Sequence, residues 1–424
     1  MAEKAAAVIR FSVMLANAAP PAVLWRRNPM SARLETLVET YRQALAAADP
    51  RRGPLAWATT QTNLGNALRR LGEQDSGPER LEAAVAAYRA ALLHYRRERY
   101  PLDWAMTQSN LGAALRSLGQ REGGTERLAE AADAFAGALT AYRRERLPLE
   151  WAMVQNERGV TLRLLGEREQ GTARFEEAVA ACGAALKERT PARGLPDWAI
   201  SQINLADALT SLGEREGGSP RLLEAIQAYR LALDAFTRER APFDWAAAQN
   251  NFGNALVQLG AHEGEPVRLQ QAVVAFRLAA EEFPRDRAPL MWARIRNNLG
   301  NLLAVFAERE PAADGFEQAA TAYRQALQAC DRDRDALDWA IIQNNLAAAL
   351  QRLGERSRDL GRLEAAVAAY DEAAMTLQPL VAPYHLAACR QNREGAVALL
   401  PPRPHRRPAP PAAPMIQGDL FAEL

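Results

Sequence analysis

Seven tryptophans, Trp57, Trp104, Trp151, Trp198, Trp245, Trp292 and Trp339, stand 47 residues apart, and only Trp25 falls outside the series. A single globular core imposes no such period. A row of near-identical units does, because each unit must offer its neighbour the same face. The 424 residues are therefore expected to form one long solenoid with tails, not the several domains that length alone suggests.

Each unit carries two helical patterns. In the second unit, Trp104, Leu111, Leu115 and Leu118 keep helical spacing. Pro101 sits near the start, where a missing N–H is harmless, and Gly119 sits where a left-handed cap would end the helix. A polar stretch leads to a second helix that begins at Arg127 and is expected to run to about Arg144, before an Arg-Glu-Arg closure suited to a helix C-terminus. Its alanines surround one large position, which recurs as Tyr41, Tyr88, Phe135, Cys182, Tyr229, Phe276, Tyr323 and Tyr370. The counts imply a lone helix at 31–50, seven repeats from about residue 54, and a degenerate capping helix at 383–400 with Leu386 in the tryptophan place. The third repeat is irregular at Glu157, Cys182-Gly183 and Thr190-Pro191. Glycine inside a helix costs about 1 kcal/mol relative to alanine, so a bend or early opening is expected there.

Asn110-Leu111-Gly112 followed by Ala132, Phe135 and Ala138 resembles the tetratricopeptide repeat (TPR) over residues 31–400. The usual unit of that family has about 34 residues. A longer turn and an extended second helix are expected to make up the difference. Glutamine takes the family's tryptophan place, at Gln61, Gln108, Gln155, Gln202, Gln249 and Gln343. Similar long repeats occur in bacterial stand-alone proteins and in front of caspase-like CHAT peptidase domains. The resemblance implies an all-α, right-handed superhelical solenoid of antiparallel helix pairs whose first helices line a concave surface.

One polar row is the main candidate for function. Asn63, Asn110, Asn204, Asn251, Asn298 and Asn345 lie six residues after the tryptophans, and Asn66, Asn254 and Asn301 lie one turn onward. Second amides precede the row at Asn156, Asn250, Asn297 and Asn344. A side-chain amide offers one acceptor and two donors, so it can hold any peptide unit regardless of sequence. In the O-linked N-acetylglucosamine transferase family, which the repeat resembles, an asparagine at the matching place contacts a bound peptide backbone. The competing reading has the same amides tying adjacent helices together. A second row, Arg69, Arg116 and Arg163, recurs twelve residues after the first three tryptophans. It suits either an acidic ligand or a solvated face paired to glutamates.

Several function classes are disfavoured. The 52 basic and 51 acidic residues leave a net charge of +1, which gives no pull toward nucleic acid or anionic lipid. Cys182, Cys330 and Cys389 are far apart and show no metal or disulfide spacing. The four histidines, His94, His262, His385 and His405, stand in no catalytic motif. No catalytic residue, metal or cofactor is expected, and no apolar run is long enough to span a membrane.

Residues 1–30 read as a poorly ordered segment. Ala16-Asn17-Ala18 resembles a signal cleavage site, but Arg10 interrupts the apolar run and only Lys4 precedes it. A cytoplasmic location is expected, with Met30 as an alternative start to Met1. Residues 401–424 begin as a Pro-Ala-Arg tract and are expected to be disordered. Their last stretch contains Gln417, Leu420 and Phe421, which resemble the short peptide that binds the bacterial sliding clamp. The other reading is an amphipathic end. The chain is thus expected to be a non-catalytic scaffold that takes a protein or peptide on its concave face. The alternatives are a DNA-maintenance accessory tethered to the clamp, or a regulator of a separately encoded CHAT-type effector.

Overall fold

The computed structural model describes residues 29–401 apart from 76, 123, 310–313 and 379–382. The leader-like segment Ala5–Ala19 and the tail residues Gln417, Leu420 and Phe421 lie outside the described residues. The described chain is all α. The inner, or A, helices are α2 (Pro54–Gly72), α4 (Pro101–Arg121), α6 (Pro148–Arg168), α8 (Leu195–Glu216), α10 (Pro242–Glu263), α12 (Pro289–Arg309), α14 (Ala336–Ser357) and α16 (Pro383–Ala398). The B helices are α1 (Pro29–Ala47), α3 (Glu79–Leu92), α5 (Glu126–Leu139), α7 (Ala173–Ala185), α9 (Ser219–Ala235), α11 (Pro266–Glu282), α13 (Gly315–Ala329) and α15 (Leu360–Leu377). Each helix packs on the next in order, and each A helix also touches the A helix of the following repeat. This is a TPR-like solenoid.

Within a repeat, the large B-helix side chain fits against a glycine of the A helix. A Cβ on Gly65 would stand 2.6 Å from Tyr88, and one on Gly300 would stand 2.5 Å from Tyr323. The hydroxyl of the tyrosine at this place donates to the next residue of the A helix: Tyr88 to Asn66 at 2.8 Å, Tyr229 to Asp207 at 2.6 Å and Tyr323 to Asn301 at 2.7 Å. Where the B helix carries Phe135 or Cys182, the A helix has Ala113 or Val160 in the acceptor place. A buried hydroxyl needs a partner, and its absence removes the need.

Three expectations about local structure are corrected. Gly119 is not a cap, since α4 continues to Arg121. It lies where a Cβ would stand 2.8 Å from Leu128, so the glycine permits close packing with the B helix. Left-handed caps occur instead at Gly217, Gly264 and Arg358. The lengthened helix is A, with 21 residues in α4 against 14 in α5. Helix B stops early, and the turn that follows buries a side chain at Tyr95, Tyr142, Phe236 and Phe283. The Arg-Glu-Arg segments therefore lie in turns and not at helix ends. Helix α7 is continuous through Gly183.

Two arginine series join neighbouring repeats. In four of the turns an arginine stacks on the following tryptophan: Arg144 over Trp151, Arg238 over Trp245, Arg285 over Trp292 and Arg332 over Trp339, and Arg97 over Trp104 does the same in a fifth. The same guanidinium reaches the next B helix or its end, as in Arg144 to Glu188 at 2.7 Å and Arg332 to Thr376 at 3.1 Å. The second series lies near the C-terminus of several A helices and donates to the terminal carbonyls of the preceding one. Arg121 binds Gly72 O at 2.6 Å, Arg215 binds Gly166 O at 3.3 Å and Arg356 binds Ala307 O at 2.7 Å. A cation at exposed helix carbonyls stabilises by roughly 0.3–1 kcal/mol.

The superhelix also meets itself. The last A helix, α16, touches α6 of the third repeat as well as α14. Contacts therefore run beyond nearest neighbours at this one place, which strict repeat stacking does not predict. His385 of α16 stands near Arg168 of α6 and Asp338 of α14, and burial, aided by the Arg168 charge, pulls its pKa down to about 4. Because the folded value lies below the ordinary 6.5, this contribution is complete above pH 6.5 and is lost as pH falls toward 4. Proteolytic release of α16 should accelerate across that window, and His385→Asn should flatten the profile. A wild-type profile without slope between those values would refute the assignment.

Candidate functional site

The asparagine row does not lie where a groove-lining role would put it. Asn251 is 1% exposed, Asn298 and Asn345 are 0% exposed, and Asn204, Asn254 and Asn301 are also buried. Their amides are engaged with the neighbouring A helix. Asn204 donates to Asn156 at 3.1 Å, Asn298 to Asn250 at 3.1 Å, and Asn345 to Asn297 at 2.9 Å and Asn301 at 3.2 Å. Asn392 of the cap repeats the pattern with Asn344 at 3.4 Å. In the fifth repeat Asn251 donates to Asp207 at 3.0 Å. The doubled amides just before the row were the sequence signal for this ladder, since they supply its acceptors.

In the first two repeats the acceptor places hold Thr62 and Ser109, and Asn63, Asn66 and Asn110 are only half-buried. The row therefore divides into a buried part in repeats four to seven and a partly open part in repeats one and two.

The arginine row is paired. Arg69 binds Glu73 at 2.5 Å, and Arg116 crosses to Glu157 of the next repeat at 2.8 Å. Glu157 thus replaces an asparagine to serve a salt bridge. Arg163 is 4% exposed and pairs with Glu167, which places it inside the fold and not on a surface patch. It stands near Asp207, whose carboxyl is pushed up by burial against the pull of Arg163 and of hydrogen bonds from Tyr229 and Asn251.

Sequence reasoning missed a row of exposed apolar residues on the first three A helices. Positions two residues before and two after the tryptophan face the same side of each A helix. They carry Leu55 in α2, Leu102 and Met106 in α4, and Leu149 and Met153 in α6, all exposed, with Met106 at 42% and Met153 at 40%. In later repeats the second of these places holds Ile200, Ala247, Arg294 and Ile341, all at least half-buried. Between α6 and the start of α8 the surface dips into a depression lined by Leu149, Glu150, Met153, Arg189, Arg193, Gly194 and Asp197. The signal was present in the sequence, as large apolar residues beside an acidic one at a constant register, but it resembled an ordinary helix start.

The cysteines are buried and free. Burial pushes Cys182 up to about 12 and Cys389 up to about 11, and raises Cys330 as well. A thiol acts as a nucleophile only as its thiolate. All three should therefore resist a disulfide reagent at neutral pH and react once the protein is unfolded in urea. Rapid labelling of the native chain would contradict this. Among the described residues no group of three His, Cys, Asp or Glu side chains is placed to hold a metal ion, and no helix is long and apolar enough to cross a membrane.

No family model and no curated protein matches this sequence. Among solved structures the chain is similar to a Rap protein complexed with competence and sporulation factor, at 11% identity over 87% of this chain and 100% of that one, with a TM-score of 0.42. It is also similar to a circular tandem repeat protein with novel repeat topology, at 16% identity over 87% and 90% with a TM-score of 0.30. Yeast Tom70 matches at 14% identity over 87% and 93%, with a TM-score of 0.20. At such TM-scores these likenesses add nothing to the fold, which rests on the helix pairing itself.

Proposed function

We propose that this chain is a non-catalytic scaffold that binds a protein or peptide on the inner face of its first three repeats. The observation that carries the reading is the row of large apolar side chains, Leu55, Leu102, Met106, Leu149 and Met153, standing in water on three consecutive A helices. Single exposed apolar residues are ordinary, whereas a contiguous set on one face marks an interaction surface. The half-buried amides of Asn63, Asn66 and Asn110 share that face and suit contact with a peptide backbone. Arg69 and Arg116 stand a little to one side and keep their glutamate partners.

The reading is tested with a photoreactive amino acid placed at Met106 or Met153, and for comparison at Val274 on helix α11, which is also exposed. In the native host, the first two positions should trap one discrete protein and Val274 should not. Equal trapping at all three, or none at Met106 and Met153, would remove the support for this face.

A further inference from the structure

We infer that the open face takes an extended, polyproline-II-like segment with an apolar side chain at every third residue and basic residues between. The inference rests on the scaffold reading and adds the chemistry of the occupant.

Spacing is the first argument. The helices α2, α4 and α6 are successive neighbours in one layer, and packed helices stand about 8–10 Å apart. The apolar places Leu55, Leu102 and Leu149 therefore recur at about that interval across the layer. A polyproline-II helix has three residues per turn and rises about 3.1 Å per residue, so its equivalent side chains recur every ~9.3 Å. A strand alternates faces every residue, with same-side positions about 6.6 Å apart, and a helix repeats a face about every 5.4 Å, so neither keeps this step. The extended form also leaves its peptide groups unpaired, which suits the nearby amides of Asn63 and Asn110.

Charge is the second argument. The residue after Leu102 and after Leu149 is acidic, Asp103 and Glu150, and both are exposed. Asp103 and Glu150 both bear on Tyr142, whose hydroxyl is raised first by burial and then by these two carboxylates, so they flank one another across a repeat boundary. In the depression below Leu149 the two arginines already have partners. Arg193 binds Glu188 at 2.6 Å, and Arg189 binds the Ser201 hydroxyl at 3.1 Å and pairs with Asp197 at 4.0 Å. Glu150 thus remains as the charge offered to an incoming chain there, and with Asp103 it calls for a cation beside Leu102 and Leu149.

The test uses the full chain and a synthetic peptide of four Pro-Leu-Arg triplets, titrated by calorimetry at low salt. Binding is expected at micromolar strength and should weaken by about tenfold or more when glutamate replaces every arginine, or when both Met106→Ser and Met153→Ser are introduced. Circular dichroism of the double variant confirms that the helices persist. Equal affinity for the two peptides, or unchanged binding to the double variant, would overturn the inference. So would the absence of binding by the arginine peptide at millimolar concentration. If photo-crosslinking at Met106 still traps a protein in that last case, the scaffold reading stands and only the occupant's chemistry is wrong.

Discussion

Replacing Asn345 by alanine should destabilise the C-terminal repeats by about 2–4 kcal/mol, whereas Asn63→Ala should cost about 1 kcal/mol or less. The two residues occupy the same register position in different repeats. Asn345 is fully buried and donates to both Asn297 and Asn301. Asn301 also receives the hydroxyl of Tyr323, so one substitution disturbs an A–A contact and an A–B contact together. Removing a partner from a closed polar network leaves the remaining groups desolvated, and that penalty exceeds the modest net value of the bond itself. Asn63 is half-buried, and water can replace what it loses. Urea unfolding followed by tryptophan fluorescence reads the difference. Equal shifts for the two variants would mean that the ladder contributes nothing special.

Two glycines should respond to alanine with opposite signs. Gly300→Ala gains about 1 kcal/mol of helix propensity but places a Cβ 2.5 Å from the Tyr323 ring. Tyr323 is fully buried and held at its hydroxyl by Asn301, so it cannot step aside without breaking that bond. Overpacking of this kind costs about 1–3 kcal/mol, and the lost hydrogen bond adds about 1 more, so the variant should be less stable by about 1–3 kcal/mol. At Gly183 nothing lies within 4 Å of the added carbon, and Gly183→Ala should stabilise by up to about 1 kcal/mol. Thermal melts of both variants decide the matter. Stabilisation by Gly300→Ala would show that the aromatic ring has room that the structure denies it.

The two-helix unit was legible because its signals are local: an apolar stripe of helical period, proline at the start and one aromatic per B helix. The length of helix B was not. Tyr95 follows Tyr88 by seven residues, and Tyr142 follows Phe135 by seven, which is also the spacing of a continuing helical face. Only the tertiary packing of Tyr95 and Tyr142 shows that the chain has already turned. The asparagine row posed a similar ambiguity. A repeated amide serves a peptide ligand or a neighbouring amide equally well, and the choice depends on the register between helices 44 to 48 residues apart. The arginines that reach Gly72 and Gly166 act across 49 residues, beyond any local pattern. The apolar face was overlooked because its leucines sit in the first turn of each helix, where they suit an ordinary buried start.

The meeting of α16 with α6 gives the array a defined length. Every other inter-repeat contact uses a fixed offset. An unequal recombination that inserts or removes one 47-residue unit would therefore reproduce nearly all of them at the new junction. Such arrays drift readily in copy number. Here one unit more or fewer between α6 and α16 would carry His385 away from Arg168, and the circuit would not close. The α16–α6 contact thus depends on the number of units between the two helices, although each unit taken singly would fold as well in an array of either length.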